Sequence, residues 1–226
     1  MIKFESVSKH YHQHRALSDV SFSIEAGEMV FLTGHSGAGK STVLKLAMAI
    51  EHPTQGHIHI HHHNITRLSR SRISAFRRNV GMIYQNPQLL MNKTVFDNVA
   101  LPLIVRGYRY REIRRRVHAA LDKVSLLSKE KLTPTELSCG EQQRVGIARA
   151  VVSKPEILLA DEPTGNLDPL LSLEIMHLFE AFNAAGVTVL IATHDLSLIA
   201  QMPYRMITLH NGNIITKQKH VEEEVA

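Results

Sequence analysis

Residues Gly34-His35-Ser36-Gly37-Ala38-Gly39-Lys40-Ser41 restrict this chain more than any other stretch. They satisfy the spacing G-x-x-x-x-G-K-[S/T] at every specified position. The apolar run Met29-Val30-Phe31-Leu32 stands before them and reads as a strand. Thr42-Val43-Leu44-Lys45-Leu46-Ala47 follows and reads as a helix. Glycines let the backbone curl so that successive N–H groups point at an anion. The new helix adds its positive N-terminal end. Lys40 can then neutralise the terminal phosphates of a nucleoside triphosphate, and the Ser41 hydroxyl is placed to ligate Mg²⁺. The fold must therefore deliver a strand, through this loop, to a helix N-terminus.

At 226 residues the chain can bury a full core as a single domain. No apolar stretch approaches the ~20 residues that span a bilayer. The polar start Met1-Ile2-Lys3-Phe4-Glu5-Ser6 does not read as a signal peptide. One cysteine excludes an internal disulfide framework and suits a reducing compartment, so the cytoplasm is expected. The net charge of +5 is unevenly spread. Arg67, Arg70, Arg72, Arg77 and Arg78 form one cluster; Arg106, Arg109, Arg111, Arg114, Arg115 and Arg116 form another. Each reads either as a solvated helix face or as a surface for nucleic acid or phospholipid headgroups.

Histidines crowd Gly56-His57-Ile58-His59-Ile60-His61-His62-His63. The alternation has the period of a half-buried strand, which places His57, His59 and His61 on one solvent face. With no cysteine or carboxylate cluster beside them in sequence, a structural role is expected rather than a metal site.

Short strands open the chain at 2–7, 20–24 and 29–33. Further strands are expected at 56–61, 80–83, 157–160 and 188–191, alternating with helices at 69–78 and 170–184, before a hairpin about Asn211-Gly212. This order argues an α/β core with a mainly parallel sheet and an antiparallel β region at the N-terminus. The stretch 86–153 is helical and reads as an inserted subdomain, with 1–85 and 154–226 forming the core of one domain. Ile113, Val117, Ala120, Leu121 and Val124 recur at helical spacing there, opposite the arginines. The end, Glu222-Glu223-Glu224-Val225-Ala226, is acidic and expected to fray.

A second decisive run is Ile157-Leu158-Leu159-Ala160-Asp161-Glu162. Its apolar residues make a central strand, and the carboxylates stand at the end where open α/β sheets bind ligands. Asp161 is placed to hold Mg²⁺, and Glu162 to polarise a water for in-line attack on the γ-phosphorus. His194, after the strand 188–191, can bond the γ-phosphate and hold that water. Gln85 ends the strand 80–84 and can complete the Mg²⁺ and water shell. Tyr11 lies where an aromatic face could stack on a base. In Leu137-Ser138-Cys139-Gly140-Glu141-Gln142-Gln143-Arg144, Ser138 can cap a helix that begins near Glu141. One polypeptide has no use for a second anion site on the same γ-phosphate unless it reaches a partner subunit.

The phosphate loop, Gln85, the Leu-Ser-x-Gly-Glu-Gln-Gln stretch, Asp161-Glu162, Asn166-Leu167-Asp168 and His194 together resemble the ABC-type ATPase cassette, over essentially the whole chain. Gly34-His35-Ser36-Gly37-Ala38-Gly39-Lys40-Ser41-Thr42, the run from Leu159 to Asp168 and Asn98-Val99-Ala100-Leu101-Pro102-Leu103 are similar to the cell-division ATPases of the FtsE family, as is Arg114-Arg115-Arg116-Val117. The lipoprotein-releasing LolD type and the macrolide-efflux type share the cassette.

The resemblance implies a P-loop core with ATP and Mg²⁺, the metal at Ser41, Gln85 and Asp161. It implies an ATP-dependent head-to-tail homodimer in which Ser138, Cys139, Gly140 and Glu141 reach the other subunit's nucleotide. Asn166, Leu167 and Asp168 would form a turn at that interface. An FtsX-like permease is the implied membrane partner, met on the cytoplasmic face of the bacterial inner membrane at the division site. The arginine clusters would then lie near anionic headgroups.

Cys139 stands where the family pattern has glycine; a Cβ there costs ~1–2 kcal/mol if φ is positive and little otherwise. Two other readings compete. One is a nucleotide-gated module that scarcely hydrolyses because of Cys139. The other is a nucleic-acid-handling ATPase; against it, the chain has no coiled-coil insertion and no aromatic-laced basic groove.

Overall fold

The computed structural model describes residues 1–218, so the acidic end at Glu222–Ala226 lies outside the described residues. Alternating apolar residues near the N-terminus form a hairpin. Strands β1 (Ile2–Tyr11) and β2 (His14–Ile24) pair antiparallel from Ile2 opposite Ile24 to Tyr11 opposite His14. Both extend beyond the strands expected from the sequence, because register shifts between Phe4 and His10 let the alternation change phase while pairing continues. Strand β4 (Gln55–Ile60) pairs with the other edge of β1, and β5 (His63–Asn64) closes the order β2-β1-β4-β5. Ile2, Phe4, Phe22, Ile24, Ile58 and Ile60 are buried beneath this sheet.

The second sheet contains β3 (Met29–Thr33), β6 (Val80–Tyr84), β7 (Ile157–Asp161), β8 (Thr188–Ala192), β9 (Arg205–His210) and β10 (Asn213–Gln218). Its order is β10-β9-β3-β8-β7-β6, parallel except at β10. The central strands are continuously apolar because both faces are covered. Val30, Leu32, Leu159 and Leu190 enter one core, whereas Met29, Phe31, Leu158 and Ile191 enter the other. Helix α1 (Lys40–Ala47) shares the first core with both sheets.

Helix α2 (Arg70–Arg77) precedes β6. Helices α3 (Val95–Val105), α4 (Tyr110–Lys123) and α5 (Cys139–Val151) lie between β6 and β7 and pack into the second core. Helix α6 (Pro169–Ala184) joins β7 to β8, and α7 (Leu196–Ile199) follows β8. Both α7 and β5 escape sequence reading because neither is long enough to show a period. No helix among the described residues is long and apolar enough to cross a membrane.

The charged clusters are less free than the sequence suggests. Arg77 donates to the Met48 and Ala49 carbonyls at the end of α1, 3.0 Å from each. Arg116 pairs with Glu112 at 2.8 Å and lies over the Tyr108 ring. The histidine strand also needs a correction. Its isoleucines are buried as expected, but folding supplies the carboxylates missing nearby in sequence. Glu5 of the paired strand lies 3.5 Å from His59, and Glu156 lies 3.0 Å from His61. These contacts leave His59 and His61 half-buried, with His57 exposed. Among the described residues no cluster of three or more His, Cys, Asp or Glu side chains could hold a metal.

Candidate functional site

Strand β8 is hydrogen-bonded to both β3 and β7, so their C-terminal ends lie side by side. The loop after β3 closes on the body of the protein at two glycines. Gly34 has φ 146°, and a Cβ there would stand 2.3 Å from the Leu209 carbonyl oxygen. Gly39 has φ 110°, and its Cβ would stand 2.7 Å from the Leu17 side chain. Both positions therefore require glycine for conformation and for space. Lys40 is only 7% exposed. Its ammonium donates to the Gly34 carbonyl at 2.7 Å and lies 3.4 Å from a Glu162 oxygen. His35, Ser36 and Gly37 are exposed at the rim, Ala38 is buried beneath, and Thr42 continues α1. The His35 ring meets His210 edge-on, with centroids 5.2 Å apart.

The Ser41 hydroxyl donates to Asp161 Oδ1 at 3.1 Å, across 120 residues of sequence. Burial pushes the Asp161 carboxyl above its ordinary range; the Ser41 hydrogen bond opposes this, and the neighbouring Glu162 charge adds to it. Glu162 has φ 48°, a left-handed conformation of a kind held at functional sites by surrounding bonds. Here its N–H donates to the Ala192 carbonyl at 2.8 Å, and its own carbonyl accepts from Gly165 at 3.2 Å. The carboxylate is thereby brought within 2.9 Å of His194 Nδ1 and also accepts from the His194 N–H at 3.3 Å. Glu162, Lys40 and His194 form one contiguous group. Glu162 can take a proton there, and Lys40 and His194 can face anionic oxygens.

Gln85 is exposed, and its amide rests against Gly165, where a Cβ would come within 2.9 Å of Nε2. It makes no hydrogen bond to Ser41 or Asp161 in this structure. Instead it lines a cavity of about 120 Å³ with Cys139, Gln142, Asn166 and Leu167. Tyr11 closes β1 with the Lys9 ammonium over its ring, 4.8 Å from the centroid.

Helix α5 starts at Cys139, two residues before the position expected from the sequence. Ser138 is the cap, and Glu141 at the third helical position closes a reciprocal box. The Ser138 hydroxyl accepts from the Glu141 N–H at 3.3 Å, while Glu141 accepts from the Ser138 N–H at 3.0 Å. A contact with Lys129 at 2.5 Å, then the bond from Ser138, holds the Glu141 carboxyl below its usual range. Cys139 is exposed, and its place in the helix carries no left-handed φ, so the Cβ costs little. Gly140 is buried, and its Cβ would stand 3.0 Å from Leu171. In the turn of Asn166, Leu167 and Asp168, the Asp168 carboxylate caps α6 by accepting from Leu171 at 3.0 Å.

Sequence reading gave no fastening role to the residues that hold these pieces together. Gln143 is 3% exposed and donates to the Tyr84 carbonyl at the end of β6, at 3.1 Å. Arg149 donates to the Pro87 and Gln88 carbonyls. Fully buried Asn98 donates to the carbonyls of Leu90 and Thr94 and accepts from the Leu90 N–H. A polar side chain at an inward helical position was the available signal for Gln143 and Asn98.

The family profile described as ABC transporter matches residues 17–165. This chain belongs to the ABC transporter family. As an ABC cassette it binds ATP and is an ATPase. It is 60% identical over 215 residues to the cell division ATP-binding protein FtsE of Escherichia coli K12, covering 95% of this chain and 97% of that one. It is 42% identical to the protein of the same name in Bacillus subtilis, covering 98% of each. Among solved structures it is similar to the dimeric post-hydrolysis state of the ATP-binding cassette MJ0796 bound to ADP and Pi. There the TM-score is 0.90 at 34% identity, covering 98% of this chain and 100% of that chain. It is also similar to cbiO1 from Clostridium perfringens, part of the ABC transporter complex cbiONQ, with a TM-score of 0.89 at 31% identity, covering 96% and 88%.

Proposed function

We propose that this chain is the ATP-hydrolysing subunit of a cell-division ABC complex, acting as a homodimer on an FtsX-like integral membrane partner. The observation that carries the catalytic part is the contiguous Lys40–Glu162–His194 group beside the Ser41–Asp161 pair. The biological part rests on the high identity to FtsE proteins along nearly their whole length.

In this reading the N–H groups of Gly34 to Ser41 and Thr42 cradle the phosphates, Lys40 meets the β- and γ-phosphates, and Tyr11 takes the base. Ser41 and Asp161 supply hard oxygen donors, and the raised pKa of Asp161 marks a carboxylate that gains from a nearby cation. Mg²⁺ suits them and would neutralise charge on the phosphate oxygens. Glu162 accepts a proton as water oxygen bonds to the γ-phosphorus; the bond to the β–γ bridging oxygen breaks and ADP leaves. His194 orients the γ-phosphate. Ser138, Cys139, Gly140 and Glu141 of one copy meet the other copy's nucleotide, and Asn166, Leu167 and Asp168 line the seam. Gln85, on the cavity shared with α5, turns from Gly165 to complete the metal and water shell and links the site to the membrane partner. Residues 86–153 work as the inserted subdomain, and Arg111 and Arg114, exposed on α4, face anionic headgroups at the cytoplasmic surface.

The test loads Glu162→Gln with Mg-ATP, measures its mass by light scattering and recovers bound protein from solubilised membranes. Turnover should fall by about 10²–10⁴, a dimer should be trapped and an FtsX-like permease recovered. A lipoprotein-releasing or efflux permease would overturn the division role, and unaltered turnover would remove Glu162 as the base.

A further inference from the structure

Lys40, Ser41, Asp161, Glu162 and His194 gather at the C-terminal end of the parallel strands. At the other end of β7 a cavity of about 500 Å³ opens, within the range of small-molecule sites. It lies where α4 and the end of α5 meet the end of α6. Its walls are Val151, Val152, Leu158, Phe182 and Val187, with alanines and Pro155 between them. Its other lining residues are all cations: Arg115, Arg116, Lys123 and Lys154. No carboxylate and no neutral hydrogen-bonding side chain lines it.

The four cations are not equivalent. Arg116 is engaged with Glu112 and Tyr108. Arg115, Lys123 and Lys154 form no ion pair among the described residues. Lys123 stands over Phe182, 5.7 Å from the ring centroid, where the apolar wall meets the charged rim. An occupant must therefore have an apolar body and an anionic polar part. A nucleotide or sugar would leave its hydrogen-bonding groups unpaired against aliphatic walls.

We propose that this cavity binds a single-chain anionic lipid, a fatty acid or lysophospholipid. Its chain lies on Val151, Val152, Leu158, Phe182 and Val187, and its head group meets Arg115, Lys123 and Lys154. The walls come both from the helices between β6 and β7 and from the core. A lipid here therefore touches two elements, one that begins at the Ser138 cap and one that ends at the Asp161 and Glu162 carboxylates. The inference does not depend on the cell-division reading.

The test titrates the full chain with a dansyl-labelled undecanoate and follows its emission. Saturable binding with one site per chain is expected, displaced by oleate but not by uncharged oleyl alcohol or by Mg-ATP. Arg115→Glu combined with Lys123→Glu should weaken it by about tenfold or more. Ala119→Trp, at the mouth, should weaken it similarly by filling the space. Equal affinity in both variants, displacement by oleyl alcohol, or displacement by ATP would each overturn the proposal.

Discussion

The phosphate loop and the start of α5 both present backbone N–H groups at a helix N-terminus, yet they are built in opposite ways. The loop is closed on its own protein. Gly34 and Gly39 leave no room for a Cβ, Lys40 is buried among carbonyls and a carboxylate, and Ser41 bonds Asp161. The α5 start faces outward. Ser138 and Cys139 are exposed, and Ser138 is held by the capping box with Glu141, which in turn pairs with Lys129. A cradle formed within one chain must be preorganised, because its own fold sets every distance. In the proposed dimer the α5 start completes the other copy's site, and for that it needs only a stable helix end and free access. Damage to the first should abolish nucleotide binding, whereas damage to the second should spare binding and reduce turnover only when subunits meet.

The largest effect expected is at Gly34. Gly34→Ala places a Cβ against the Leu209 carbonyl in a conformation alanine resists, so equilibrium dialysis should find ATP binding lost and the melting temperature lowered. Binding within tenfold of the parent would break the contrast. Next is Glu162→Gln, for which turnover should fall by about 10²–10⁴ while ATP affinity stays close to that of the parent.

Ser138→Ala should cost about 1 kcal/mol of stability by removing the α5 cap. Chemical denaturation would measure that, and a nucleotide affinity unchanged in dilute protein would separate this end from the cradle. Cys139→Gly should be smallest, within about 0.5 kcal/mol in stability, since its backbone carries no strain to relieve. A large gain in turnover would show instead that the thiol obstructs the neighbouring copy.

The two ends should also respond to pH with opposite sign. Glu141 has a depressed pKa in the fold, so its stabilisation is full above the unfolded value near ~4.3 and is lost as pH falls through the folded value. Glu141→Gln should flatten the acid limb of a stability-versus-pH curve. Asp161 has a raised pKa, so stability is lost as pH rises from the unfolded value near ~3.9 through the folded value. Asp161→Asn should therefore stabilise the chain at neutral pH while removing its response to Mg²⁺. A common sign for both variants would mean that the two environments are not the contrast described.

Contiguous sequence determined what could be read locally. Gly34 to Ser41 carries its own turn chemistry, Ile157 to Glu162 its strand and carboxylates, and Ser138 to Glu141 its capping spacing. In each, the interacting groups are covalently close, so residue type and separation specify the geometry. Register-dependent facts were not legible. Glu5 beside His59 depends on cross-strand pairing, and Gln143 beneath Tyr84 on how α5 packs against β6. Above all, Ser41 with Asp161, and Lys40 with Glu162 and His194, meet because β8 lies between β3 and β7. Strand order is settled by how side chains on both faces of the sheet are buried together, which no local spacing encodes. The sequence thus determined which chemical groups exist and in which local turns; the tertiary structure alone decided which of them touch.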